Sequence, residues 1–293
     1  IQAAEKYPDV QFCHATGTQA HTKNLKNFHN AFASIYEGRY LAGIAAGMKL
    51  NAMIKEGKFE AKDAKIGYVG AYPYAEVKSG YTAFFLGVRS VCKEATMEVQ
   101  FTGSWYDEAK EKEAATLLIG RGCKLISQHA DSMGAPTACE SAGVPNVSYN
   151  GSTLDACPNT FIVSSRINWV PYMKYMIECV RDNKAIDTDW CKGINEGAVE
   201  LTPINEKVAA PGTAEAIKAA EEQFKAGTLH VFDTSTFTVD GKTLTSYMAD
   251  VDTDEKFTPD TEVVSNGYFH ESEKRSAPYF DVNIDGITLL NEG

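Results

Sequence analysis

The sequence predicts an α/β protein built on a parallel sheet, and two observations carry the prediction. Short β-rich runs alternate with helical ones through residues 11–168, which is the rhythm of βαβ units. The strand-like runs are also nearly continuous in apolar residues, as in KIGYVG at 65–70. Strands that helices cover on both faces read in this way.

In chain order, 11–16 reads as a strand and 28–55 as one long helical run, followed by a strand at 65–72. A helix at 75–95 leads to the strand 97–104. The helix at 107–121 concentrates its charge from Asp107 to Glu113 ahead of Leu117, Leu118 and Ile119, and Asp107 stands where an N-cap belongs. The strand 124–130, the helix 134–142 and the strands 146–150 and 161–168 complete the series, with Asp131 and Ser132 placed to cap the helix at 134. Beyond 168 the pattern loosens into a helix at 172–181, a strand at 198–203 and a helix at 213–226 introduced by Pro211-Gly212. Gly241 within VDGK signals a hairpin. The tail 249–273 is acidic, is interrupted by Pro259, and precedes the apolar segment 284–290.

Length and charge narrow the function. A chain of 293 residues suits about two domains. Its 28 Lys+Arg against 39 Asp+Glu give a formal charge of −11, so no broad basic surface is available to displace counterions from nucleic acid or to meet an anionic membrane. The longest apolar stretches, 41–48 and 81–88, fall short of the roughly 20 residues needed to cross a bilayer. Seven cysteines, at 13, 92, 123, 139, 157, 179 and 191, are odd in number and lack CxxC spacing. They read as small buried apolar residues rather than as a disulfide framework or a zinc site.

In open α/β sheets a ligand binds beyond the carboxyl ends of the strands. Those ends hold Thr16, residues 71–76 with Tyr74 and Glu76, residues 104–107 with Trp105, residues 129–132 with His129, Asp131 and Ser132, Tyr149 and Asn150, and residues 166–169 with Asn168 and Trp169. Aromatic rings and hydrogen-bonding groups predominate over clustered charge, which suits a planar, neutral ligand with polar edges. Trp169 fits either a ligand wall or a wedge at the start of a helix, and Trp105 fits both roles equally. The nearness of His129, Asp131 and Ser132 in sequence does not make a triad, whose members converge from separate elements. The remaining histidines are scattered without metal-ligand spacing, and there is no nucleophile elbow, phosphate loop or dinucleotide fingerprint.

Four strings carry a family resemblance: YPDVQF at 7–12, IYEGRYLAG at 35–43, KIGYVGAYPYAE at 65–76 and QHADS at 128–132. They resemble the basic membrane protein family of substrate-binding lipoproteins, of the purine-nucleoside-receptor type, which serve ABC importers. The resemblance runs from residue 1 to about 224, and IYEGRYLAG is its most specific string. It implies a type I periplasmic-binding-protein fold, with two Rossmann-like lobes joined by three crossovers and closing around a ligand. The expected boundaries are 1–62 with about 175–293 for the first lobe, and 63–174 for the second.

The resemblance also implies an extracytoplasmic protein, periplasmic or lipid-anchored, that captures a purine base or nucleoside for a membrane permease without cofactor or catalysis. The loop 129–132, the pairs Tyr149-Asn150 and Asn168-Trp169, and the segment from Tyr74 to Glu76 match cleft-lining segments. Nucleoside-binding members often carry Asp where this chain has Asn150, whose amide offers both donor and acceptor. Two other readings stand beside this one, a nucleoside-cleaving hydrolase and a ligand-sensing module of a receptor. Members of the family begin with further strands and helices, whereas residues 1–8 here read as the last turn of a helix halted by Pro8. The expectation is that the encoded protein is longer, or that another chain completes the first lobe.

Overall fold

The computed structural model describes residues 1–252 and 260–292; the stretch 253–259, including the Pro259 that interrupts the acidic tail, lies outside the described residues. The main strands are β1 (Phe12–Ala15), β2 (Phe28–Ala33), β3 (Lys65–Gly70), β4 (Thr96–Phe101), β5 (Leu125–His129), β6 (Asn146–Tyr149), β7 (Phe161–Ile167), β8 (Asp189–Lys192) and β9 (Val199–Leu201). The helices are α1 (Gln2–Lys6), α2 (Ala20–Lys23), α3 (Ile35–Lys55), α4 (Ala75–Val91), α5 (Glu108–Gly120), α6 (Gly134–Ala142), α7 (Val170–Arg181) and α8 (Thr213–Lys225).

Two sheets result. The smaller is parallel, in the order β1-β2-β8. The larger runs Ile287–Leu289, β4, β3, β5, β6, β7, β9, and is parallel except for the pairing of β9 with β7. Its central strand β3 shows how both faces are filled. Ile66 and Tyr68 join the core under α3 and α4, while Val69, with Ile126 of β5, packs on α5 and α6. This three-layer sandwich explains why β3 reads as an unbroken apolar run.

Packing of α3 on α4 is unusually close. A Cβ on Gly43 would stand 2.1 Å from the Phe84 carbonyl oxygen, and one on Gly87 would stand 2.0 Å from that of Tyr40. Both contacts are with backbone, so no rotamer change would relieve them. Gly38, at the head of the same helix, lies where a Cβ would meet Val199 of β9 at 2.7 Å. Glycine is thus required here for approach rather than for backbone conformation.

The chain passes between the sheets three times: from β2 to α3, from β7 to α7, and from β8 to β9. Hydrogen bonds hold the passages to one another. Ser34 N–H donates to the Lys192 carbonyl at 3.0 Å, and Asn168 N–H donates to that of Ala198 at 2.8 Å. Glu37, in the first turn of α3, accepts from the Ile194 N–H at 2.7 Å. Burial, with Glu196 nearby, pushes the Glu37 carboxyl up to about 7 against the effect of that hydrogen bond.

Several expectations are corrected. The run 28–55 is a strand followed by a helix, broken at Ser34. Every residue of β2 is buried between β1 and β8, so the strand carries no polar alternation to separate it from the helix behind it. The short strand β8 was not expected. The expected lobe boundaries also differ from the sheets. Helix α3 packs on the larger sheet, and β9 and Ile287–Leu289 extend that sheet, although all three fall within the ranges assigned to the first lobe. Helix α7 packs on the smaller sheet from its start, through Tyr172. The hairpin at Gly241 is present: Val239 and Lys242 exchange both backbone hydrogen bonds, and Asp240 and Gly241 both have positive φ, as a two-residue turn of this type needs.

All seven cysteines are free thiols, of which five are buried and Cys13 is exposed. No helix among the described residues is long and apolar enough to cross a membrane.

Replacing Gly87 by alanine is expected to lower stability by about 1–3 kcal/mol, the cost of overpacking a tight contact. Urea denaturation measures it, and an unchanged midpoint would show that the helices separate freely.

Candidate functional site

The carboxyl ends of both sheets face one cavity of about 360 Å³. From the smaller sheet come Ala15 and Thr16 at the end of β1 and Phe32 near the end of β2. The larger sheet contributes Glu76 at the start of α4, Trp105 beyond β4, His129 and Asp131 at the end of β5, and Tyr149 and Asn150 at the end of β6. Ile167 and Trp169 come from the passage between β7 and α7. Aromatic rings therefore stand on both sides of the cavity, with polar groups between them.

The walls are ordered by ring contacts. On one side Trp169 packs against Phe32 with centroids 6.4 Å apart and against Tyr172 at 6.2 Å. Trp169 also occupies the position just before the first turn of α7, with Pro171 following. Opposite, Tyr149 stands 4.6 Å from His129, which stands 6.3 Å from Trp105. Beneath Tyr149 lies the guanidinium of Arg39, 3.6 Å from the ring centroid and wholly buried.

The polar edge is built from Glu76, Asp131, Asn150 and His129. Asn150 has φ 64, a left-handed conformation that asparagine tolerates. Its amide donates to Asp131 Oδ1 at 3.1 Å. Among the described residues neither ring nitrogen of His129 has a hydrogen-bond partner, since Glu76 Oε1 lies 3.9 Å away and is too distant. Burial, reinforced by the Arg39 charge, lowers the pKa of His129, against the pull of Glu76 and Asp131. His129 thus presents an uncharged ring, able to donate from one nitrogen and accept at the other.

Six of the expected residues line the cavity: Trp169, Asn150, His129, Asp131, Trp105 and Glu76. Three do not. Ser132 is buried, and its hydroxyl accepts from the Gly134 N–H at 3.1 Å, just ahead of α6, whose N-cap position is Met133 and not Ser132 as expected. Asn168 lies in the passage between the sheets, where its side chain accepts from Val170 N–H at 3.1 Å. Tyr74 is 55% exposed and stacks on Tyr72, with centroids 5.0 Å apart and planes at 11°, outside the lining. The cap expected of Asp107 is present, with its carboxylate accepting from Lys110 N–H at 3.1 Å. Asp131 turns to Asn150 instead of capping α6.

Phe32 and Arg39 escaped notice as site residues. Phe32 lies in the strand Phe28–Ala33, within the segment expected to be helical, and Ser34 stands at the break between that strand and α3. Arg39 sits in the most specific string of the sequence, but no spacing rule links it to Tyr149.

A larger groove of about 800 Å³ lies between β8 and residues 271–276. It is lined by residues near the passages and carries charged groups, but no tryptophan or phenylalanine. Among the described residues, no group of three or more His, Cys, Asp or Glu is placed to hold a metal ion.

This arrangement of two α/β sheets, three passages and a shared cleft is that of a type I solute-binding protein. A solved ABC transporter solute-binding protein from Aeropyrum pernix K1 matches with a TM-score of 0.67 at 16% identity, over 79% of this chain and 72% of that one. A family model described as "ABC transporter substrate-binding protein PnrA-like" matches residues 1–228, and the chain belongs to that family.

Among curated proteins, a purine-binding protein of Brucella abortus is 30% identical over 75% of this chain and 60% of its own length. A putative ABC transporter glucose-binding protein of Haloferax volcanii is 33% identical over 80% of this chain and 56% of its own. The chain therefore spans somewhat under two thirds of these relatives.

Replacing Ser132 by alanine is expected to cost about 1 kcal/mol of stability, the usual net worth of one hydrogen bond, and to leave ligand affinity unchanged. Paired melting and binding measurements test this; weakened binding at unchanged stability would return Ser132 to the cleft.

Proposed function

We propose that this chain captures a purine base or nucleoside outside the cytoplasm and presents it to an ABC permease, without altering it. One observation carries the reading: the two sheets bring Trp169 and Phe32 to one side of a cavity, and Trp105, Tyr149 and His129 to the other. A flat heterocycle fits between such walls, and its ring nitrogens and exocyclic groups meet Glu76, Asp131, Asn150 and uncharged His129. The cavity volume, about 360 Å³, falls in the range of roughly 300–1,000 Å³ usual for small-molecule sites. The Brucella relative's name agrees with a purine ligand.

Two carboxylates on the edge and a net charge of −11 disfavour a phosphate-bearing ligand. Closure of the sheets around the ligand would exclude water, and the ligand would select the closed form only through contacts made better there. The whole protein is held at the outer face of a membrane or free in the periplasm, with the permease as its partner.

A second reading follows from the Haloferax relative, whose name assigns glucose. Carboxylates flanked by aromatic rings also suit sugar hydroxyls.

Isothermal titration with adenosine, inosine, adenine, AMP and glucose separates these readings. Adenosine, inosine or adenine is expected to bind, with AMP weaker. Binding of glucose alone would establish the sugar reading, and AMP tighter than adenosine would overturn the neutral-ligand reading. Chromatography of adenosine left with the protein is expected to recover it intact, and release of free adenine would point to a hydrolase.

Trp169→Ala is expected to weaken adenosine binding by about 1–3 kcal/mol, the scale of one lost base–aromatic stack. Unchanged affinity with a lower melting temperature would make Trp169 a packing residue only.

A further inference from the structure

The string 36–40, YEGRY, opens α3, and four of its five residues have plain structural work. The Tyr36 hydroxyl donates to the Glu271 carbonyl at 3.2 Å, Glu37 accepts from Ile194 N–H, Gly38 admits Val199, and the Tyr40 carbonyl faces Gly87. Arg39 stands apart. It is 0% exposed, and among the described residues no carboxylate lies within ion-pair distance of it. One of its nitrogens, Nη1, donates to the Gln128 carbonyl at 3.0 Å, while Nε and Nη2 have no partner.

Keeping a guanidinium away from water without a counter-ion is costly, so a core that needed only volume would hold an apolar side chain here. What Arg39 does have is a ring. Its guanidinium carbon lies 3.6 Å from the Tyr149 centroid, a cation–π contact at close range, and 5.9 Å from that of Tyr68. Tyr149 and His129 are neighbours in the cavity lining, and the main-chain acceptor of Arg39 belongs to Gln128, the residue before His129. Gly80 of α4 closes the other side, where a Cβ would stand 2.7 Å from His129 Nδ1 and 3.6 Å from Arg39 Nε. Arg39 therefore touches both residues of the floor, one through its ring and the other through its backbone neighbour.

We propose that Arg39 is the positioning residue of the ligand floor, fixing the Tyr149 ring through the cation–π stack and the end of β5, with His129, through its bond to Gln128. The proposal rests on the reading of this cavity as the ligand cleft, and it adds a role for a side chain that itself stays out of the cleft. Four groups from separate elements face His129: Arg39 of α3, Glu76 of α4, Asp131 beyond β5 and Tyr149 of β6. Of these, Arg39 opposes protonation of the ring, whereas Glu76 and Asp131 favour it. Removing the Arg39 charge takes away one of the two effects that oppose protonation and leaves burial alone against the two carboxylates, so His129 then gains its proton at higher pH than in the wild type.

The test uses Arg39→Met, which keeps a long apolar stem and removes the charge, and Arg39→Lys, which keeps the charge and removes the planar stack. The His129 ring is followed by proton NMR as pH is varied, without ligand, and adenosine affinity is measured at pH 5.5 and 7.5. Arg39→Met is expected to move the His129 titration to higher pH and to weaken adenosine binding tenfold or more, with a larger loss at pH 5.5. Arg39→Lys is expected to leave the titration near the wild-type position and to weaken binding at least threefold. Wild-type affinity and titration in both variants, with only a lower melting temperature, would overturn the proposal and make Arg39 a core residue. Should Arg39→Met fail to fold, Arg39→Lys decides, since wild-type affinity in that variant is incompatible with positioning through a planar stack. If the wild-type protein binds no adenosine or adenine, the purine reading falls, while the ligand-free titration of His129 still judges the role of Arg39.

Discussion

Backbone contact between α3 and α4, made possible by Gly43 and Gly87, fixes the geometry on which the rest of the molecule depends. Helix α3 leaves the smaller sheet at Ser34 and at once lies along the larger one, so it spans the join between them. Its first turn ties the neighbouring passage through Glu37 and Ile194, and the same turn carries Arg39 to the underside of Tyr149. Helix α4, held against it without side chains between, begins with Glu76 on the cavity edge. A displacement of a few tenths of an ångström between these helices would therefore reach both the passages and the cavity lining, because close-packed interiors transmit strain.

Electrostatics in the cleft follow from what is buried and what is left open. Among the described residues Arg39 has no carboxylate partner, and the carboxylates of Glu76 and Asp131 line the cavity on the other side of Tyr149 and His129. Between them His129 stays uncharged, with both ring nitrogens open to hydrogen bonding. A site so arranged offers hydrogen-bond donors and acceptors from both charged and uncharged side chains. The larger groove beside β8 differs in kind. Its lining is charged and lies beside the passages.

Much of the cleft could be read from the chain because a parallel sheet places its ligand at the carboxyl ends of its strands. Trp105, His129, Asp131, Asn150 and Trp169 follow from locating those ends, and Glu76 from the turn after β3. Ser132 and Asn168 sit at the same ends but serve the backbone, since small polar side chains beside a helix start are drawn to its free N–H groups. Tyr74 follows β3 yet stacks on Tyr72 at the surface, an outcome set by ring packing that no spacing in the sequence records.

By itself, then, the sequence determined the α/β class, most of the strands and the principal polar and aromatic residues of the cleft, because these depend on local apolar runs and on what stands at their ends. Only the tertiary structure decided that 28–55 divides at Ser34, that α3, β9 and Ile287–Leu289 belong with the larger sheet, and that Phe32 and Trp169 share a wall. The physical reason is common to all three. A strand buried on both faces has no alternation to distinguish it from a buried helix, and the sheet a segment joins is settled by contacts between residues far apart in the chain. The stack of Arg39 on Tyr149, 110 positions apart, is of the same kind: neither residue type nor spacing foretells it, and it exists only because α3 packs on a face of the larger sheet.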